Sequence, residues 1–498
     1  MIRACSRGLI LTSYLLLHSH DLAVQASGSC KVQPNFDTNQ SIISGEHAAE
    51  IAIEQRICRQ QVGAYRDFQA KLSSKEPVFI LSLGGSMTAG IDCNEPSADP
   101  SSEAIVGRQC AYPARFTRWL GETYYGKDSS RAKFINRAQG GTTTAGALPQ
   151  LSQLISKGGA EIPDLLIIDF GVNDHFEEQD WFEHGNNRKN GNGELNNAGA
   201  KVFAATEALL RYVLKTHPTT AVAIVEAYCI GDNAFSRIAH KKAALMLGVP
   251  YISYSRLTRH GCNQEACGGK SCFRSPHPPF YVHERVKVGL SLWWEAFAWR
   301  LKCRTFQESS IPRPALSSFM LSQPPMATDD LVQRYKVCER SMSTFDARAM
   351  IQESKQSKSM QGWPLTLDRG REDKAAWIAT EDGSIVEFPM SFGQSPRVAL
   401  VYTKGYDETF GEAEITMPGN TGRYFLSGCC NHEKVTQGEL VVMNVGQSYT
   451  NKGGQASPFA HGSNGHGFGI RPFTNATLRI KFIKSESTKF SISFLSSC

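Results

Sequence analysis

Between residues 76 and 304 short apolar runs alternate with amphipathic stretches. Runs rich in β-branched and aromatic residues at 78–83, 133–136, 164–170, 221–225 and 250–254 predict strands. Stretches with apolar residues at helical spacing, at 111–125, 145–155, 198–215, 235–247 and 283–300, predict helices; the first carries Phe116, Trp119 and Leu120 on one face. The run at 164–170 is apolar almost throughout, as a strand covered on both faces should be. Strands alternating with helices predict an α/β fold, a parallel sheet with helices on both faces in three layers. Residues 27–75 read as a helical leader, mostly helix over 48–72.

After residue 304 the pattern changes twice. Over 305–360 periodicity is lost, and Ile311-Pro312-Arg313-Pro314 and Gln323-Pro324-Pro325 mark an extended linker. Over 361–498 short runs of strand formers at 384–388, 397–402, 439–443, 478–482 and 490–494 are separated by Gly, Asn and Pro turns. They predict an all-β sandwich or jelly-roll domain.

The chain has 498 residues, which fits two domains or more. Its net charge of +6 is small for that length, and no arginine-rich run or basic helix occurs, so nucleic acid is not an expected partner. Arg3 and Arg7, the apolar stretch 9–17 and the small residues before Ser27 have the form of a secretory signal peptide, 1–26, cleaved near Ala26. That stretch is too short for stable membrane insertion. Fourteen cysteines suit an oxidising compartment. Cys93 with Cys110 and Cys30 with Cys58 are plausible local bridges. The trio Cys262, Cys267 and Cys272 has metal-like spacing, but disulfides are the better reading in a secreted chain. Asn39-Gln40-Ser41 and Asn475-Ala476-Thr477 are glycosylation sequons. The expected protein is a secreted, disulfide-bonded glycoprotein with no metal or organic cofactor.

Four stretches carry candidate chemistry. Gly84-Gly85-Ser86-Met87-Thr88-Ala89-Gly90 follows the first strand and holds a serine on a tight turn at the C-terminal sheet edge. Asn136-Arg137-Ala138-Gln139-Gly140-Gly141 follows the second strand and offers unhindered backbone N–H groups. Gly171-Val172-Asn173-Asp174 follows the third strand and offers an amide side chain. Ser275-Pro276-His277-Pro278-Pro279 holds a histidine between prolines before the last helix, with His283 six residues on. Each alone has a bland alternative: an ordinary turn, a threonine-capped helix start, an Asx turn, an exposed loop histidine.

Together, in this order, these blocks resemble the SGNH (GDSL-type) hydrolase family over residues 77 to about 303, and the C-terminal part looks like the accessory region of some secreted eukaryotic members. The resemblance implies a flavodoxin-like three-layer domain. It also implies a serine esterase with Ser86 as nucleophile, His277 as general base, and an oxyanion hole made by the Ser86 N–H, the Gly141 N–H and the Asn173 side chain, with Gly140 as the alternative to Gly141. The chain departs from the family at two points. Gly85 stands where an acidic residue usually precedes the serine, and Arg274 stands where an aspartate usually lies three residues before the histidine. The imidazole must then be oriented by a backbone carbonyl, by a carboxylate from elsewhere (Glu265 and Glu284 are nearest in sequence), or by nothing. The expected substrate is an acyl or acetyl ester of a carbohydrate, polysaccharide included, or of a small molecule. The alternatives are a weak or inactive relative that binds glycans and an O-acyltransferase using the same residues.

Overall fold

A computed structural model describes residues 43–303, Pro325 and 341–498, apart from 44, 55–56, 97–104, 157–161, 176–196, 230–233, 259–276, 354–361, 368–373, 406–408, 420–421, 430–435, 446–467 and 485–486. In chain order the first half reads α1 (Gly45–Glu54), α2 (Arg59–Ser73), β1 (Val78–Gly84), the short pair β2 (Asn94–Glu95) and β3 (Ile105–Val106), α3 (Tyr112–Tyr125), β4 (Ala132–Asn136), α4 (Thr144–Ala147), α5 (Leu151–Ser156), β5 (Leu165–Asp169), α6 (Asn197–Thr216), β6 (Ala221–Glu226), α7 (Phe235–Leu247), β7 (Tyr251–Ser253), α8 (Tyr254–Leu257) and α9 (Phe280–Cys303). The second half reads β8 (Ser343–Asp346), α10 (Ala347–Glu353), β9 (Leu365–Leu367), β10 (Ala375–Ala379), β11 (Ile385–Ser391), β12 (Arg397–Lys404), β13 (Glu412–Thr416), β14 (Arg423–Ser427), β15 (Gln437–Asn444), β16 (Asn475–Ile483) and β17 (Phe490–Ser497).

The first sheet is parallel, in the order β4-β1-β5-β6-β7, the flavodoxin-like order. Apart from the edge strand β4, which is only partly buried, its strands are buried on both faces, so alternate residues feed two cores. Val78, Ile80, Leu165, Ile167, Ala223 and Val225 join Tyr65, Phe68, Trp294 and Phe297 of α2 and α9. Leu81, Leu83, Leu166, Ile168, Val222 and Ile224 join α5, α6 and α7 on the other face. The chain reverses direction across the sheet between β1 and β5, which places the crevice of such sheets at their C-terminal ends.

Two antiparallel sheets form the second half: β15-β12-β17-β10-β9, with β8 also on β17, and β11-β16-β13-β14. Phe388, Ile415, Ile480, Leu400, Ile492 and Trp377 from both sheets share one core, so this half is a sandwich. Its outer sheet alternates, as in β11 with exposed Ile385, Glu387 and Pro389 against buried Val386, Phe388 and Met390. The inner sheet does not alternate, because it is covered twice. Val398, Leu400 and Tyr402 of β12 face the sandwich core, while Ala399 and Val401, with Leu440 and Phe494, belong to the core of the first half. Burying large apolar side chains there contributes about 1.5–3 kcal/mol each, so the two halves share a core.

Some expected elements differ. The helix read over 48–72 is broken: α2 starts after Cys58, whose backbone is extended (φ −69°, ψ 156°), and both pieces lie on the first sheet's helical layer. The helix read over 145–155 is divided into α4, a 3-10 turn containing Pro149, and α5, since proline cannot donate to a continuous helix. The linker read over 305–360 contains β8, whose Phe345 lies opposite Leu495 of β17, so from there it is part of the sandwich. β9, β10, β13 and β14 were not read from the sequence. Cys93 and Cys110 form a disulfide; Cys229, Cys429 and Cys498 are also disulfide-bonded. Cys30, the Cys262–Cys272 trio and the Asn39 sequon lie outside the described residues, whereas Asn475 is exposed at the start of β16. Among the described residues no helix is long and apolar enough to cross a membrane.

Candidate active site

The serine loop is shaped by what its glycines exclude. A Cβ on Gly84 would lie 2.2 Å from the Asp169 carbonyl oxygen of β5, so only glycine lets β1 end there. The Gly85 N–H donates to that same oxygen at 3.0 Å, and the Thr88 hydroxyl donates to it at 3.1 Å. Beyond Ser86 the chain closes on itself. The Ala89 N–H donates to Gly85 O and the Ile91 N–H to Ser86 O, both at 3.0 Å. Ser86 is thereby held at the sheet edge, 6% exposed.

Asn173 follows β5 across the crevice. Its Oδ1 would lie 2.5 Å from a Cβ on Gly85. The missing acidic residue before the serine therefore has a physical reason: any side chain at position 85 would displace Asn173. The second block joins the same loop. Asn136 donates its amide to Thr88 O at 2.8 Å and accepts from the Ala138 N–H at 3.0 Å. Gln139 to Thr142 then make a turn, closed by the Thr142 N–H on Gln139 O at 3.2 Å, with Gly141 at φ +81°. Positive φ at the third position is what a type II turn requires, and the N–H of that residue is not used by the turn. The structure thus brings Asn173 and Thr142, which follows Gly141 in the turn, up against Gly85, the residue before Ser86.

A buried charged network fastens this side from behind. Asp174 accepts from the Thr144 N–H at 2.9 Å and from the Thr144 hydroxyl, and faces His240 Nε2 at 2.8 Å. The other ring nitrogen, Nδ1, faces Glu226 Oε2 at 3.0 Å. Burial alone would lower the His240 pKa, but the charges of Glu226 and Asp174 outweigh it and hold it up at about 10. An imidazolium is thus shared by two buried carboxylates. Glu226 lies so close to Gly171 that a Cβ there would come within 1.7 Å of its oxygen. Beneath the serine loop, Asp169 accepts from Tyr112 and Thr88 at 2.9 and 3.1 Å; burial, then the charge of Glu226, pushes its pKa up to about 7.

The histidine side has a different construction. His277 Nδ1 lies 3.3 Å from Oδ2 of Asp92, a residue of the serine loop next to Ile91. The imidazole is 28% exposed and the carboxylate 72%. Asp92 has φ +60°, uncommon for a residue with a side chain, and is followed by Cys93, bonded to Cys110. Sequence reasoning did not find Asp92; its one signal was its place beside a cysteine expected to be bridged. Glu284, considered for this role, instead meets Arg115 at 3.0 Å and Lys287 at 2.5 Å. Glu265 and Arg274 lie outside the described residues. His283 sits in the first turn of α9, fully buried: its Nδ1 accepts from the Tyr112 N–H at 3.3 Å and its ring stacks on Tyr112. Burial, with the charges of Arg115 and His277, lowers its pKa to about 3, which keeps it neutral. It buttresses Tyr112, and through it Asp169.

The arrangement offers a serine on a tight turn, Asn173 and Thr142 against the preceding Gly85, and an imidazole with a carboxylate near one nitrogen. Among the described residues no group of three or more His, Cys, Asp or Glu could hold a metal ion.

No protein-family model matches the chain, and no curated protein matches it. Solved structures do. A two-domain esterase active on acetylated mannans, co-crystallised with mannopentaose, is 17% identical with a TM-score of 0.52, over 91% of this chain and 98% of that one. A second structure of a two-domain esterase active on acetylated mannans gives 18% identity and a TM-score of 0.52, over 91% and 99%. At that identity the likeness is one of fold. It spans both halves, so an α/β domain followed by a β-rich domain is an arrangement the two chains share.

Proposed function

We propose that the protein is a secreted serine ester hydrolase of SGNH type that removes acyl groups, acetyl first among them, from a carbohydrate. The observation that carries this reading is the approach of Asp92 to His277 on the loop that bears Ser86. The resemblance left the imidazole without an orienting carboxylate. That gap was the main support for an inactive glycan-binding relative, and Asp92 answers it. With Nδ1 3.3 Å from the Asp92 carboxylate, a ring that carries its proton on that nitrogen would present Nε2 as the general base.

In this reading His277 Nε2 takes the Ser86 hydroxyl proton as Oγ attacks the ester carbonyl carbon. The carbonyl π electrons move to oxygen, which accepts from the N–H groups of Ser86 and Gly141 and from the Asn173 amide. Collapse expels the sugar alkoxide, which takes the proton from His277. Water then repeats the sequence on the acyl-serine, releasing the acid and restoring Ser86. Acetylated carbohydrate is the favoured class because the two-domain neighbours act on acetylated mannans and this chain shares their whole architecture. Secretion is supported by the leader at 1–26 and by the disulfides.

Hydrolysis of p-nitrophenyl acetate and release of acetate from acetylated mannan by the purified full chain test the reading, with Ser86→Ala and His277→Ala beside the wild type. Turnover lost in both folded variants is the expected result. Wild-type turnover that survives Ser86→Ala contradicts it.

A further inference from the structure

The turn that carries Gly141 is held by the other half of the molecule. The Gly438 N–H of β15 donates to the Gly141 carbonyl at 2.8 Å, and Thr142 forms a parallel bridge with Gly438. β15 is the edge strand of the inner sheet, paired on its other side with β12, where Gly438 lies opposite Thr403. One face of an edge strand has unpaired backbone groups; here that face reaches the second block of the site. The crossing depends on small residues. A Cβ on Gly146 of α4 would lie 3.4 Å from Gly438 O, and one on Gly438 would lie 3.2 Å from Val401 Cγ1. Around it Val401, Leu440 and Phe494 join the core beside Ala145, Leu148 and Leu151, so the donor is anchored to the layer on which the turn rests.

The geometry points to Gly438 as a positioning residue for the oxyanion hole, which makes the β-sandwich a structural part of the catalytic apparatus; this rests on the esterase reading above. The Gly141 N–H and C=O belong to the two peptide groups flanking one α-carbon. Fixing the carbonyl end on Gly438 restricts rotation at Gly141, the turn's most permissive residue, and so fixes where the N–H points. An oxyanion donor acts only when its direction is set before charge develops. Without the clamp the turn would keep its own hydrogen bond, from Thr142 to Gln139, but lose the external restraint.

The test compares Gly438→Pro with Gly438→Ala in the full chain. Both variants add a Cβ near Val401; proline, tolerated on an edge strand, also replaces the outward N–H by its ring, whereas alanine keeps the N–H. Gly438→Pro is expected to lower kcat for p-nitrophenyl acetate by about 10- to 100-fold, below the loss of a whole oxyanion donor. KM should stay within about twofold and the unfolding temperature should remain near that of Gly438→Ala, which should recover kcat to within about threefold of wild type. Equal kcat in the two folded variants overturns the clamp while leaving the esterase reading intact. Absence of Ser86-dependent turnover in the wild type overturns both. Should Gly438→Pro fail to fold, amide hydrogen exchange on the wild type decides: protection of Gly438 as strong as that of the β12–β15 ladder is expected, and exchange at the rate of a free edge amide overturns the proposal.

Discussion

The two sides of Ser86 are built to different standards. On one side Asn173 and the Gly141 turn are backed by Asp174, His240 and Glu226, all nearly fully buried, and the turn is held by a strand from the second half. On the other side His277 and Asp92 meet in partial contact with solvent, on a loop secured by one disulfide. The difference follows from what each side does in the proposed reaction. Dipoles that stabilise developing charge must be rigid beforehand. A base that first takes and then gives a proton must turn between two oxygens, and a half-open imidazole can do so.

The largest effect should come from the buried network. Asp174→Ala leaves His240 with one carboxylate and removes two acceptors from Thr144, and should cost about 3–5 kcal/mol of stability, seen as a large fall in unfolding temperature. Asn173→Ala should lower kcat by about 10²–10³ with a folded protein and a modest change in KM. Asp92→Asn should be milder, about tenfold in kcat, because an exposed pair holds its partner less firmly; thermal stability should change by no more than about 0.5 kcal/mol. If Asp92→Asn costs as much as Asn173→Ala, the two sides are equally preorganised and the contrast fails.

The acid limb of stability is a gentler probe of the same contrast. His283 is held at a pKa of about 3 in the folded protein, against about 6.5 when unfolded. Below 6.5 the unfolded chain binds the proton and the folded one does not, so its contribution is complete above that value and is lost as pH falls towards 3. His283→Gln should flatten this part of the curve in chemical denaturation measured from pH 7 to 4, on top of a pH-independent loss from the stacking removed at Tyr112.

What could be read from the sequence depended on whether a residue's environment is local. The parallel sheet was legible because β1, β5 and β6 are apolar on both faces and carry few polar interruptions. The run Val398-Ala399-Leu400-Val401-Tyr402 was legible as a strand, and its lack of alternation was the trace of burial on two faces, visible once the first half is known to cover it. β10 escaped because Ala375, Ala376 and Ala379 are poor strand formers. β13 escaped because Glu412 and Glu414 break a five-residue run. Ser86, Asn136, Asn173 and His277 could be singled out as candidates because each belongs to a short block. Asp92 and Gly438 were not, because their partners lie 185 and 297 residues away (92 to 277, 141 to 438), and no spacing rule reaches across such loops.

Reaction with a fluorophosphonate ester, followed by peptide mass spectrometry, bears most directly on the chemistry. The serine oxygen would displace fluoride from phosphorus only where a base and an oxyanion hole converge on it. A single adduct on Ser86, formed by the wild type and by Asp92→Asn at a reduced rate but not by His277→Ala, is the predicted result. Adduct on another residue, or none on Ser86 in the folded wild-type protein, would contradict it.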